Sequence, residues 1–280
     1  MPFSDESAVG DLTVGDLLSR STLPTFEARA LLAHQLGVTR ERVAARPEQL
    51  VAPADAQRFA QLAERHQRGE PLAYLLGEKE FYGRMFAVSP AVLIPRPETE
   101  LLVEAALAFD VRGDARVLDL GTGSGCIAIT LALERPAWQV TATDVSREAV
   151  AIARANAEKW QATNVTFRHG SWFLEMAGQR FDLIVGNPPY VAVDDHHLDT
   201  LRFDPVTALV AEANGLQCLH TIIDGAPPHL MPGSYLALEH GHAQAAAVRA
   251  RFAAGVWSDV RTLTDLAGLE RVTLARASAV

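Results

Sequence analysis

The residues of this chain best placed to do chemistry are Asn187-Pro188-Pro189-Tyr190. They follow Phe181 to Gly186, an apolar run of strand length that ends on a glycine. Adjacent prolines cannot extend a sheet, because neither nitrogen carries a donor, and each ring restricts the residue before it. The expected result is a stiff corner at the C-terminal end of a strand, with its carbonyls bare. The Asn187 amide oxygen and a proline carbonyl can each accept one N–H, and the Tyr190 ring can cover a flat face. Such a cradle suits a planar group bearing an NH2. A plain turn is the competing reading, since Asn-Pro and Pro-Pro are ordinary loop signals.

A second constellation is Asp119-Leu120-Gly121-Thr122-Gly123-Ser124-Gly125, between an expected strand and an expected helix. Glycines let the backbone turn sharply and approach a ligand closely. The dinucleotide fingerprint G-x-G-x-x-G would need glycine where Cys126 stands, so this is a different loop. A tight turn with no ligand is the alternative. Asp144 ends the next expected strand, about 20 residues past the glycines, where a carboxylate can accept ribose hydroxyls. It could equally cap the following helix. Trp172, after the third strand, is the candidate cover for an adenine ring; a core role fits its composition as well.

These residues must be positioned by the elements around them. Residues 1–75 read as a helical domain without strand signals. Thr13 caps a helix carrying Val14, Leu17 and Leu18, and Pro24 opens a second with Phe26, Ala30 and Leu31 at helical spacing. Thr39 starts a short helix, and a longer one runs from about Pro53 to Arg68. Residues 76–95 read as a β-hairpin linker with Gly83 near its turn, followed by an extended Val92-Leu93-Ile94. Pro97 suits the first turn of a helix that holds Glu98 and Glu100 near its positive end. In residues 96–280 strands and helices alternate, with strands expected around Val117, Val140, Val165, Phe181, Tyr235, Val260 and Arg271. That alternation implies an α/β fold with a mostly parallel sheet, whose ligands bind beyond the C-terminal strand ends.

Composition narrows the function classes. The 280 residues are 49% hydrophobic, enough for a sizeable core, with a net charge of −9. The acidic balance argues against a protein that binds nucleic-acid phosphates directly. Cys126 and Cys218 have no metal-ligand or disulfide spacing. No apolar run reaches membrane-spanning length, and Met1 to Gly10 lacks the pattern of a signal peptide. A cytoplasmic protein with no membrane partner is expected. His196-His197 beside Asp194 and Asp195 reads as a solvated loop more readily than as a metal site, and Glu239-His240 as structural.

Taken together, Asp119 to Gly125, Asp144 and Asn187 to Tyr190 resemble the class I S-adenosylmethionine-dependent methyltransferases. More closely, the chain resembles the bacterial release factor glutamine methyltransferases (the PrmC/HemK family). Gly77 to Gly83, Ile94 to Glu100, Leu238-Glu239-His240-Gly241 and Asp265 to Gly268 carry that closer match. The resemblance implies a Rossmann-like seven-stranded methyltransferase sheet behind a small N-terminal all-helical domain that recognises substrate. It implies S-adenosyl-L-methionine as methyl donor and S-adenosyl-L-homocysteine as product, held by Gly121, Thr122, Gly123, Ser124, Gly125, Asp144, Trp172 and Asn187. It also implies that Asn187, Pro188, Pro189 and Tyr190 hold a glutamine of peptide chain release factors, within their Gly-Gly-Gln motif. Two departures stand out. Asp204-Pro205 replaces the usual Glu-Pro, and Ala211 to Leu216 lacks an expected glycine pair. Rival readings are a glutamine methyltransferase of a ribosomal protein, an adenine-N6 nucleic-acid methyltransferase, a dehydrogenase, and a non-catalytic binder of the donor.

Overall fold

A computed structural model describes residues 12–195, 198 and 201–278. The His196-His197 pair lies outside the described residues. The chain forms two compact units, Met1–Gly77 and Glu78–Val280.

In the first unit the expected helices form: α1 (Val14–Arg20), α2 (Thr25–Leu36), α3 (Arg40–Ala45) and α4 (Pro53–Gln67). Thr13 starts α1 through a capping box. Its hydroxyl accepts from the Asp16 amide at 3.1 Å, and the Asp16 carboxylate accepts from the Thr13 amide at 2.9 Å. Leu31, Leu32, Val43 and Phe59 fill the core. The expectation that this unit has no strands is corrected: β1 (Leu12–Thr13) pairs antiparallel with β2 (Leu50–Val51). Two residues per strand are too few to show a period of two. A fifth helix, α5 (Leu72–Leu76), ends at Gly77 with φ +72°.

The second unit opens with the expected hairpin, β3 (Glu78–Phe81) and β4 (Arg84–Ala87). Tyr82 and Gly83 both take positive φ, +52° and +74°, as the tight hairpin turn requires. Phe81 and Phe86 are fully buried in the core of this unit, edge to face at 6.2 Å. The hairpin therefore packs as part of the second unit. Val92-Leu93-Ile94 forms no strand. After a 3₁₀ turn (Pro97–Thr99) comes α6 (Glu100–Leu107).

Alternation then follows: β5 (Arg116–Leu120), α7 (Cys126–Glu134), β6 (Gln139–Asp144), α8 (Arg147–Trp160), β7 (Val165–His169) and β8 (Phe181–Gly186). Short β9 (Val191–Ala192) and β10 (Val210–Ala211) pair in parallel, flanking α9 (Val206–Leu209). The chain closes with α10 (Gln217–Gly225), β11 (Leu230–Glu239), α11 (Ala245–Arg251), β12 (Trp257–Thr264) and β13 (Glu270–Ala277).

Seven strands form one sheet in the order β12-β13-β11-β8-β5-β6-β7. Only β13 runs against the others. Successive residues of β5 and β8 alternate between two apolar clusters, Val117, Leu183 and Val185 on one face, Leu118, Leu120 and Ile184 on the other. Helices cover both faces, so the central strands read as continuous apolar runs. Among the described residues no helix is long and apolar enough to cross a membrane.

Candidate active site

The first crossover runs from β5 to β6 on one side, while β8 pairs with β5 on the other. That is the point in an open parallel sheet where loops diverge and a crevice forms. A cavity of about 200 Å³ lies there. Its wall takes Gly121 to Ser124 from the end of β5, Asp144 from β6 and Trp172 from beyond β7. Asn187 and Pro189 from beyond β8 also line it. Gly125, Pro188 and Tyr190 are not on the wall.

The glycine loop is folded by its own backbone. Gly121 and Gly123 take φ of +74° and +55°, and an added Cβ at Gly123 would meet nothing within 4 Å. That residue therefore leaves open space beside the main chain. Gly125 differs. It has φ +82° and stands as the N-terminal cap of α7, where a Cβ would come within 2.8 Å of Ile129 Cδ1 and 3.1 Å of Ala153 Cβ. Its lack of a side chain serves the packing of α7 against α8. Asn156 of α8 ties the loop to the hairpin, donating to the Ser124 carbonyl at 2.8 Å and accepting from the Ala87 amide at 2.7 Å.

Asp144 fastens the same loop. Its Oδ2 accepts from the Gly123 amide and its Oδ1 from the Ser146 amide, both at 2.9 Å. The cap of α8 is Ser146, whose hydroxyl accepts from the Ala149 amide, so the capping role expected as an alternative for Asp144 falls to its neighbour. Each carboxylate oxygen retains a lone pair for a ligand hydroxyl. Burial holds the Asp144 pKa above the usual carboxylate range. Below the loop, Asp119 is fully buried and accepts from the Thr122 hydroxyl at 2.7 Å. Burial pushes its pKa up to about 7. Trp172 takes φ +45°, packs partly on the apolar cluster under the sheet, and also lines the cavity. The core role expected of it is met in part, and the same placement leaves the ring on the cavity wall.

The corner after β8 is held by side chains from distant segments. Asn187 Nδ2 donates to Thr99 Oγ1 at 3.2 Å. The Tyr190 hydroxyl donates to Glu239 Oε1 at 3.2 Å, and the Tyr190 carbonyl accepts from Gln244 Nε2 at 2.9 Å. Pro188 is buried between these anchors. Burial, followed by the Glu239 charge, pushes the Tyr190 hydroxyl far above its ordinary pKa. Gly215, with φ +80°, passes so close to the corner that an added Cβ would sit 2.1 Å from the Tyr190 carbonyl oxygen.

Sequence reasoning missed several neighbours. Thr99 and Arg96 line the cavity, and Glu239 lies beneath the corner with Oε2 lacking a hydrogen-bond partner. Arg96 Nη2 donates to the buried Asp204 at 2.9 Å, which gives the Asp-Pro departure a structural use. Glu239 carried a usable signal, since it ends a strand on the ligand-binding edge. Thr99 carried none. Among the described residues no cluster could hold a metal ion.

With this geometry in view, similarity to known proteins is decisive. The methyltransferase small domain model matches residues 97–238, and the PrmC N-terminal domain model matches residues 15–77. A release factor glutamine methyltransferase of Neisseria gonorrhoeae is 49% identical over 269 residues, spanning 95% of this chain and 98% of the relative. The chain belongs to the release factor glutamine methyltransferase family. The same family name attaches to a Salmonella typhimurium protein 47% identical over 92% of this chain and 94% of its own. A solved methyltransferase from Pyrococcus furiosus shares the fold with TM-score 0.55 and 21% identity, over 79% of this chain and all of that one. A T. thermophilus 16S rRNA methyltransferase, solved with AdoMet and guanosine, gives TM-score 0.52 and 19% identity, over 71% of this chain and 49% of that one.

As a member of that family the protein is a methyltransferase, and its cavity fits a nucleoside-bearing methyl donor. The open space at Gly123, the spare lone pairs of Asp144 and the flat Trp172 match a ribose and a base. The Ser124 hydroxyl, buried without a hydrogen-bond partner beside the cavity, supplies one more polar group for a ligand.

Proposed function

We propose that the protein transfers the methyl group of S-adenosylmethionine to the side-chain amide nitrogen, N5, of the glutamine in the Gly-Gly-Gln motif of peptide chain release factors. The relatives' names support release factors and glutamine. The observation that carries the finer reading is the tether of Asn187. One N–H of its NH2 goes to Thr99, and its amide oxygen is the acceptor offered to a substrate N–H.

A carboxamide nitrogen is a weak nucleophile because its lone pair is delocalised into the carbonyl. When bound, the donor supplies a methyl group activated by a positively charged sulfur. The chain's own residues do the positioning. Asn187 Oδ1 and the Pro188 carbonyl each accept one N–H of the glutamine amide and turn its nitrogen towards the glycine loop. Holding the reacting groups in this way lowers a barrier by roughly 7–11 kcal/mol. As the new N–C bond forms, positive charge grows on the nitrogen, and both N–H groups become stronger donors to these fixed acceptors. One N–H proton then leaves to solvent, and no strong base is required beforehand. The Tyr190 ring, pinned through its hydroxyl, packs beside the amide and excludes water. Asp144 holds the donor ribose, and Trp172 and the glycine loop hold its base and main body. A release factor substrate places the reaction in the cytoplasm.

Intact mass of purified release factors after incubation with the protein and donor tests this reading. The expected result is a gain of one methyl group, mapped to the Gly-Gly-Gln peptide. Methylation of a ribosomal protein or of DNA, with release factors unchanged, overturns it.

A further inference from the structure

The tether of Asn187 has a direction, and the direction needs a cause. Thr99 Oγ1 can either donate its one hydrogen or leave it elsewhere and only accept. It accepts from Asn187 here, so its hydrogen must go to another group. Glu239 is the buried carboxylate beside it with an acceptor to spare. It is 1% exposed, at the end of β11, already takes the Tyr190 hydroxyl on Oε1, and its Oε2 lacks a hydrogen-bond partner. The Thr99 hydroxyl, followed by that of Tyr190, favours its charged form against the cost of burial.

We propose that Glu239 is the positioning residue of the amide cradle. Its carboxylate draws the hydroxyl hydrogens of Thr99 and Tyr190, obliges Thr99 to accept from Asn187, and thereby turns the Asn187 amide oxygen to the substrate side. A carboxylate has only acceptors, so the chain of donors runs one way: Asn187 to Thr99 to Glu239, with Tyr190 donating into the same carboxylate. Once protonated, Glu239 can donate to Thr99, Thr99 can then donate to Asn187, and the amide can flip its NH2 into the substrate position. A flipped amide offers a donor where the glutamine N–H needs an acceptor.

The groups acting on Glu239 come from three segments. Thr99 and Glu98 belong to the 3₁₀ turn before α6, Tyr190 to the corner, and Arg271 to β13, while His240 follows Glu239 just beyond β11 and bonds to Thr273. Burial raises the Glu239 pKa to about 7, with Glu98 adding to the rise and Arg271 opposing it. Burial lowers the His240 pKa, so that ring stays neutral over the same range. Turnover therefore gains a limb that falls as pH drops through about 7.

This inference rests on the proposed amide substrate, so it needs a readout that no substrate enters. Solvent exchange of the Asn187 side-chain NH2, followed by NMR in the full-length protein, is that readout. Glu239→Gln and Thr99→Val should both expose the Asn187 NH2 to fast exchange, while Thr99→Ser should leave it protected. Exchange unchanged in Glu239→Gln overturns the proposal whatever the substrate is. With release factor and donor, Glu239→Gln should lose turnover by about 10- to 100-fold, the range expected for removing a group that orients a ligand-binding residue. Donor affinity by calorimetry should hold, and the limb near pH 7 should vanish. The double variant should be no slower than the worse single one, because both act through one path. Equal falls in donor affinity and melting temperature would mark Glu239 as a general core residue and also overturn it. If the wild-type protein leaves release factors unmodified, the substrate reading fails while the exchange result stands by itself.

Discussion

The glycine loop after β5 and the corner after β8 face one cavity, yet they are built in opposite ways. Each sits above a buried carboxyl: Asp119 under the loop, Glu239 under the corner. Asp119 finds its partner three residues away, at Thr122. Glu239 takes Tyr190 from 49 residues away, and Thr99, which holds Asn187, lies on another segment altogether. The loop is shaped by positive φ values that glycine tolerates. The corner is shaped by proline rings and then aimed by side chains that only tertiary folding brings near. Under the proposed function, the local device would bind the part common to many methyl transfers, and the device assembled from afar would set what is methylated.

The sharpest way to break this contrast is Asn187→Ala. It should cost on the order of 10²–10³ in turnover, the loss seen when one preorganised polar group is removed, with donor affinity nearly intact. Calorimetry and single-turnover rates measure both, and a matching loss in donor affinity would erase the division of labour. Next in size, Gly125→Ala should destabilise the protein by about 2–3 kcal/mol, through overpacking against Ile129 and Ala153 and a left-handed φ. Urea melts would show it. The opposite pairing is Asp144→Ala, which should weaken donor binding by about 10- to 100-fold, the worth of hydrogen bonds to a charged group. Calorimetry with unchanged affinity would remove the ribose assignment.

The two buried carboxyls sharpen the comparison further. Asp119 and Glu239 both have folded pKa values near 7, raised above their ordinary 3.8 and 4.5. A carboxyl that is more basic when folded contributes stability that is full below its unfolded pKa and is lost as pH rises through the folded one. The melting temperature should therefore fall between about pH 4 and pH 7, and Asp119→Asn should flatten that slope. The smallest expected effect concerns the missing glycine pair. Ala213 and Asn214 stand at φ +53° and +56° before Gly215. Ala213→Gly relieves a left-handed alanine at the expense of a freer unfolded chain, for a net gain of about 0.5 kcal/mol in a urea melt.

Local chemistry was readable in advance wherever it was written in adjacent residues. The glycines, Asp144 at a strand end, Asn187 at a double-proline corner, and the alternation of strands and helices all fall where the sequence placed them. The caps at Thr13 and Thr39 do too, because a cap needs only residues within one turn. Misreadings came from short or distant relations. The two-residue pair β1–β2 has no period to detect, and Val92 to Ile94 looks extended yet forms no strand, with Val92 and Leu93 on the cavity wall.

By itself the sequence determined the α/β order, the place of the cavity beyond the C-terminal strand ends and the stiffness of the Asn-Pro-Pro-Tyr bend, since each depends on covalent geometry or a repeating pattern. Tertiary structure alone decided which way the Asn187 amide faces, why Gly215 must lack a side chain, and that Glu239 lies under the bend. Those outcomes depend on hydrogen-bond partners and contact distances between segments far apart in the chain, and no local pattern encodes a distance.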